Sequence, residues 1–185
     1  MSIKHPIISV TGSSGAGTST VKHTFQQIFR RESVKAATLE GDAFHRYNRK
    51  EMKKELEKRH AAGDATFSHF SFDANLLPEL EDCFRNYSEQ GTCRYRHYIH
   101  NSNEENLYGA KAGNFTKWEK FEEPSDLLFY EGLHGAVVNE EINLARYADL
   151  KIGVVPVINL EWIQKIHRDT DSRGYSTEAV TDTIL

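Results

Sequence analysis

The sequence predicts an α/β domain, a mostly parallel sheet with helices on both faces. Short β-branched or apolar runs alternate with segments of helical period, and a glycine-rich turn joins the first run to the first helix. The later runs are nearly continuous in apolar residues, the pattern of strands buried on both faces. At 185 residues the chain is long enough for one medium domain with a single core, taken as residues 1–185.

The elements follow in order. Residues 6–11, PIISVT, read as a buried first strand, and Gly12 to Gly17 as the turn after it. A helix is expected from about Thr18 to Arg31, because Val21, Phe25, Ile28 and Phe29 share one face. Lys35 to Leu39 reads as a second strand leading into Glu40–Gly41–Asp42, and Glu51 to Ala62 as a charged surface helix. The stretch 63–124 is less regular, with a helix near Leu76 to Tyr87 and a hairpin expected around Arg94 to His100. Asp126 to Tyr130 forms a third strand, ending in Glu131–Gly132, and Leu150 to Val155 a fourth, ending at Pro156. A helix beginning near Ser176 carries no stop signal before Leu185, which predicts a longer natural protein.

Gly12–Ser13–Ser14–Gly15–Ala16–Gly17–Thr18–Ser19 occupies the place of a Walker A loop, G-x-x-x-x-G-K-[ST], between a strand and a helix. Glycines let such a backbone wrap phosphate oxygens with its N–H groups, and the following helix adds its positive dipole end. Ser19 stands where a hydroxyl would ligate Mg²⁺, and Thr20 continues the helix start. Thr18 replaces the lysine, so positive charge must come from elsewhere. A degenerate loop that binds nucleotide weakly is the bland alternative.

Ligands of open α/β sheets bind beyond the carboxyl ends of the strands. Glu131, after the third strand, suits the Walker B role of holding Mg²⁺, and Asp42, after the second, suits a general base. Either could instead cap a turn. His45 and Arg49 near Asp42, with Arg31 in support, suggest an acceptor that is itself anionic. Further on, Lys165, Arg168 and Asp169 fall at i, i+3 and i+4 of a helix, and Arg173 follows. Such a cluster can close as a lid over a transferring phosphoryl group or be a salt-bridged exposed face.

Bulk composition narrows the classes. The net charge of −4, from 23 basic and 27 acidic residues, gives no support to nucleic-acid binding. The run Arg94–Tyr95–Arg96–His97 reads as a solvated loop. No apolar stretch is long enough to span a bilayer, and the amino terminus lacks a signal-peptide pattern, so a cytoplasmic protein without membrane contact is expected. Cys83 and Cys93 form no metal or redox spacing, and free thiols are expected.

The segments PIISVTGSSGAGTST, EGDAFHRYNR, GDATFSHFS, LLFYEGLHGAVV and DLKIGVVPVINLEWIQKIHRDTDSRGYSTEAV together resemble the proteobacterial branch of the phosphoribulokinase family. The resemblance covers nearly the whole chain, least distinctively over 88–125. It implies a P-loop NTPase-like fold and ATP- and Mg²⁺-dependent phosphorylation of ribulose 5-phosphate at its 1-hydroxyl, a Calvin-cycle step. It further implies Asp42 as catalytic base, Asp169 as a second carboxylate near the metal, and Lys165 and Arg168 as transition-state cations. Arg31, His45, Arg49 and Arg173 resemble sugar-phosphate contacts. Thr18 matches this branch, and Ala16 stands where plant-type members carry a regulatory cysteine, so thioredoxin control is not expected. Family members are longer homo-oligomers under NADH and AMP control. A uridine-kinase-like nucleoside kinase and a non-catalytic ATP-binding regulator are the competing readings; a GTPase switch lacks its Asn-Lys-x-Asp motif here.

Overall fold

The computed structural model describes residues 4–171 and 174–184. Its main sheet has four parallel strands: β1 (Ile7–Gly12), β2 (Ala36–Glu40), β5 (Leu127–Gly132) and β6 (Leu150–Val154), in the order β2-β5-β1-β6. The expected strands are all present, with bounds moved by a residue or two. Two further short strands, β3 (Arg94–Tyr95) and β4 (Glu119–Lys120), pair with each other in an antiparallel ribbon. The hairpin expected within 94–100 is therefore corrected: the partner of Arg94 is Lys120, and the intervening chain holds a short helix, α4 (Ser102–Tyr108).

Strand alternation sorts the core into two faces. Ile7, Leu39, Leu128 and Tyr130 point to one side, where α3 (Leu77–Gln90) covers them with Leu80, Phe84 and Tyr87. Val10 and Phe129 point to the other, under α1 (Thr18–Arg31), where Phe25, Phe29 and Phe129 pack with ring centroids 5.2–5.6 Å apart. Burying each such side chain contributes about 1.5–3 kcal/mol. Both faces being covered is why these strands read as unbroken apolar runs.

The charged helix α2 (Arg49–Ala61) has no buried residue. It is held at its start by a capping box, with Asn48 Oδ1 accepting from Glu51 N and Glu51 Oε2 accepting from Asn48 N, each at 2.9 Å. The helices α5 (Ile158–Asp171) and α6 (Thr177–Ile184) follow β6 and pack on each other. No helix among the described residues is long and apolar enough to cross a membrane.

Cys83 and Cys93 are joined in a disulfide, which corrects the expectation of free thiols. Gly91 ends α3 in the left-handed region, φ 74°, and turns the chain so that the two Cα atoms lie 4.9 Å apart in the core. The run at 94–97 also departs from expectation. Arg96 is half-buried, donating from Nε to Ala43 O and from Nη2 to His45 O, both at 2.7 Å, and stacking over Phe115. Burial pushes its guanidinium down to about 10. Arg96 is thus a brace for the turn after β2 rather than part of a solvated loop, while Arg94 in the same run is exposed.

Candidate active site

Topology assembles the site. Because β1 lies between β5 and β6, the turns after β1, β2 and β5 converge at the carboxyl edge of the sheet, the crevice where such folds bind ligands. Gly12–Ser19 makes the turn between β1 and α1. Gly15 and Gly17 take φ near +97° and +96°, a region that costs other residues strain, and Ala16 N donates to Ser13 O at 3.0 Å. Gly17 caps α1 without a side chain, and a Cβ built on it meets nothing within 4 Å. The helix start is thus open toward an incoming anion. Ser19 and Thr20 are exposed there.

Thr18, at the lysine position, donates its hydroxyl to Glu131 Oε1 at 2.5 Å. One turn further along the helix, Lys22 reaches Glu40 Oε1 at 2.6 Å. Burial raises the Glu131 carboxyl above its ordinary range, helped by Asp42 and Glu40, while Thr18 and Lys22 oppose the rise. Burial disfavours the Lys22 ammonium, yet Glu40 and Glu131 outweigh it and hold the lysine above its usual value. Sequence reasoning missed Lys22, although its spacing of four from Thr18 puts both on one helix face.

Asp42 lies in a 3-10 turn, Gly41–Phe44, directly after β2. Gly41 and Gly132 approach so closely that a Cβ on Gly41 would stand 3.0 Å from Gly132 Cα and 2.5 Å from the Tyr130 hydroxyl oxygen. This contact sets the turns of Asp42 and Glu131 side by side. Each oxygen of Asp42 faces a histidine: Oδ1 is 3.3 Å from His45 Nε2, and Oδ2 is 3.3 Å from His100 Nε2. His100, on the chain between β3 and α4, gave no local sequence signal. Arg49 donates through Nη2 to His100 O at 3.0 Å, so it braces that segment beside Asp42.

The helix α5 lies over the phosphate loop. Arg168 Nη2 donates to Ser14 Oγ at 2.7 Å, and its Nε to Asp169 Oδ1 at 2.8 Å. Lys165 Nζ meets Asp169 Oδ2 at 3.0 Å, with both residues buried. Both oxygens of Asp169 are engaged by cations. Its geometry is that of a counter-ion orienting Lys165 and Arg168. Burial works against the Asp169 carboxylate, but Arg168 and Lys165 outweigh it and hold the pKa below the usual range.

Arg31 is not brought to this site. It ends α1, on the order of 20 Å from the phosphate loop by helix rise, and is exposed beside Glu32. Arg173 lies outside the described residues. Among those residues no group of three or more His, Cys, Asp or Glu side chains could hold a metal alone. The remaining donors, Glu131 and the Ser19 hydroxyl, fit Mg²⁺ only in the manner usual for it, with phosphates and waters completing the shell.

The chain is 71% identical over 185 residues to phosphoribulokinase 1 of Cereibacter sphaeroides, covering all of this chain and 64% of that one. The solved phosphoribulokinase from Rhodobacter spheroides superposes with a TM-score of 0.84 at 68% identity, over 98% of this chain and 62% of the other. A possible uridine kinase from Bacillus stearothermophilus shares the fold alone, with a TM-score of 0.60 at 12% identity over 94% and 85% of the two chains. The chain thus spans somewhat under two thirds of the length of its phosphoribulokinase relatives. A model of the phosphoribulokinase / uridine kinase family matches residues 7–185, and with this crevice, loop and strand order the chain belongs to that family.

Proposed function

We propose that this chain carries the phosphoryl-transfer domain of a kinase that uses ATP to phosphorylate ribulose 5-phosphate at its 1-hydroxyl, giving ribulose 1,5-bisphosphate. The observation that carries the reading is the carboxylate of Asp42, set at the strand edge beside the turn of Glu131, with one oxygen facing His45 and the other His100. The similarity to phosphoribulokinases over the full chain supports the choice of acceptor.

Bound ATP with Mg²⁺ supplies the phosphoryl group and the charge that bridges it. The loop Gly12–Ser19 presents backbone N–H groups to the phosphates, and Ser19 and Glu131 would hold the ion. Asp42 takes the proton of the acceptor hydroxyl as its oxygen bonds to the γ-phosphorus and the bond to ADP breaks. Lys165 and Arg168, oriented by Asp169, bring positive charge to that group from the lid and stand in for the absent loop lysine. His45 and Arg49 attract the acceptor's phosphate. The same reading has the protein acting in the cytoplasm, as a homo-oligomer at the length of its relatives.

The test is ADP release with ribulose 5-phosphate, with uridine, or with no acceptor, on a chain extended to its relatives' length. Turnover with ribulose 5-phosphate alone is expected. Turnover only with uridine, or nucleotide binding without turnover, refutes the proposal.

A further inference from the structure

Asn75 lies 30 residues beyond His45, in a loop between α2 and α3, and is buried to 3% exposure. Its backbone forms an antiparallel bridge with His45, flanked by Arg46 N to Ala74 O at 2.8 Å and Leu76 N to Phe44 O at 2.7 Å. Its amide nitrogen donates to His69 O at 3.0 Å and Ser71 O at 2.8 Å. Carbonyl oxygens only accept, so these two contacts fix which end of the amide is nitrogen. The opposite end, Oδ1, lies 2.8 Å from His45 Nδ1. An amide oxygen also only accepts, and therefore His45 Nδ1 carries a hydrogen.

The consequence falls on the other ring nitrogen. A neutral imidazole protonated at Nδ1 would turn the lone pair of Nε2 toward Asp42 Oδ1, 3.3 Å away. Two acceptors do not share that contact without a proton between them. We propose that Asn75 is a positioning residue for the base: it holds the hydrogen on His45 Nδ1, so that the second proton, which Nε2 presents to Asp42, makes the ring an imidazolium paired with the carboxylate. This rests on the reading of Asp42 as base given above. The line Asn75–His45–Asp42 then keeps the carboxylate aimed and ionised until the acceptor arrives.

The other groups around His45 are consistent with this. Burial disfavours its charged form, and Arg96 adds to that, but Asp42 and Asn75 outweigh both and leave its pKa raised above the ordinary 6.5. His69 and Tyr98 meet the ring edge-on, at centroid distances of 6.3 and 6.0 Å, and His100 faces the far oxygen of Asp42. His134, whose own pKa burial lowers, adds a weak repulsion.

The experiment is a side-chain ¹⁵N NMR titration of the histidines in the 185-residue chain, with the His45 signal assigned by its loss in His45→Gln. His45 is expected to titrate above 6.5 and, once neutral, to show the hydrogen on Nδ1. Asn75→Ala should lower the midpoint by about one pH unit, a tenfold loss of proton affinity. Asp42→Asn should lower it too but keep the Nδ1 hydrogen, because the Asn75 contact remains. A neutral His45 with its hydrogen on Nε2 overturns the proposal, as does an unchanged midpoint in a folded Asn75→Ala protein. If that variant does not fold, the wild-type tautomer decides alone. Failure to turn over ribulose 5-phosphate bears on the kinase reading and leaves this titration untouched.

Discussion

Replacing Gly15 by alanine tests whether the helix α5 is seated on the phosphate loop. Gly15 has φ +97°, and an alanine Cβ there would lie 2.9 Å from Glu161 O and 3.1 Å from Lys165 Cβ. The backbone conformation alone costs an L-residue roughly 1–2 kcal/mol. The Glu161 contact is with backbone, so relief requires α5 to lift and the Arg168–Ser14 hydrogen bond to go. A hydrogen bond to a charged group of that kind adds roughly 1.5–3 kcal/mol. Together these give about 2.5–5 kcal/mol, a fall in Tm of roughly 5–20 °C for a chain of this size. The assay pairs thermal unfolding with amide hydrogen exchange. Gly15→Ala should melt lower and lose protection over Ile158–Asp171, while β1 and β5 keep theirs. Unchanged exchange in α5, together with a wild-type Tm, would refute the packing argument.

Further outcomes follow from the same geometry. Asp42→Asn should cut acceptor-dependent ADP release by about 10²–10⁴-fold with nucleotide affinity nearly unchanged, as measured by calorimetry. Asp169→Asn should cost about 3 kcal/mol at neutral pH, because it leaves Lys165 and Arg168 without their buried partner. Asp169 has a depressed pKa, so its stabilisation is present above the ordinary carboxyl value of 3.8 and is lost as pH falls through the lower folded value. The gap between wild type and variant in urea titrations should therefore close below 3.8. Phe129→Ala, which empties the aromatic cluster against Phe25 and Phe29, should cost about 3–5 kcal/mol in urea unfolding.

Much of the fold was legible because it is local. A β-branched run before a glycine turn gave β1, and a one-faced period gave α1 with the bounds that the structure has. The acids after β2 and β5 were legible as strand ends. What escaped reading depends on distant segments meeting. Lys120 pairs with Arg94 across an intervening helix, and the ten-residue spacing of Cys83 and Cys93 carries no pattern until Gly91 turns the chain. Asn75 and His100 reach the Asp42 turn only through the loops that carry them. Arg31 is a different case. Expected in support of the acceptor's phosphate, it lies at the far end of α1, on the order of 20 Å from the phosphate loop at about 1.5 Å per residue.

Thr18 has a bearing on where the site's positive charge is carried. A lysine in the loop attracts phosphate whether or not anything covers it. Here the loop's own side chain at that position is neutral and turned toward Glu131, and the cations ride on α5. Under the proposed function, the charge on the transferred group depends on α5 staying seated on the loop, through the Arg168–Ser14 contact.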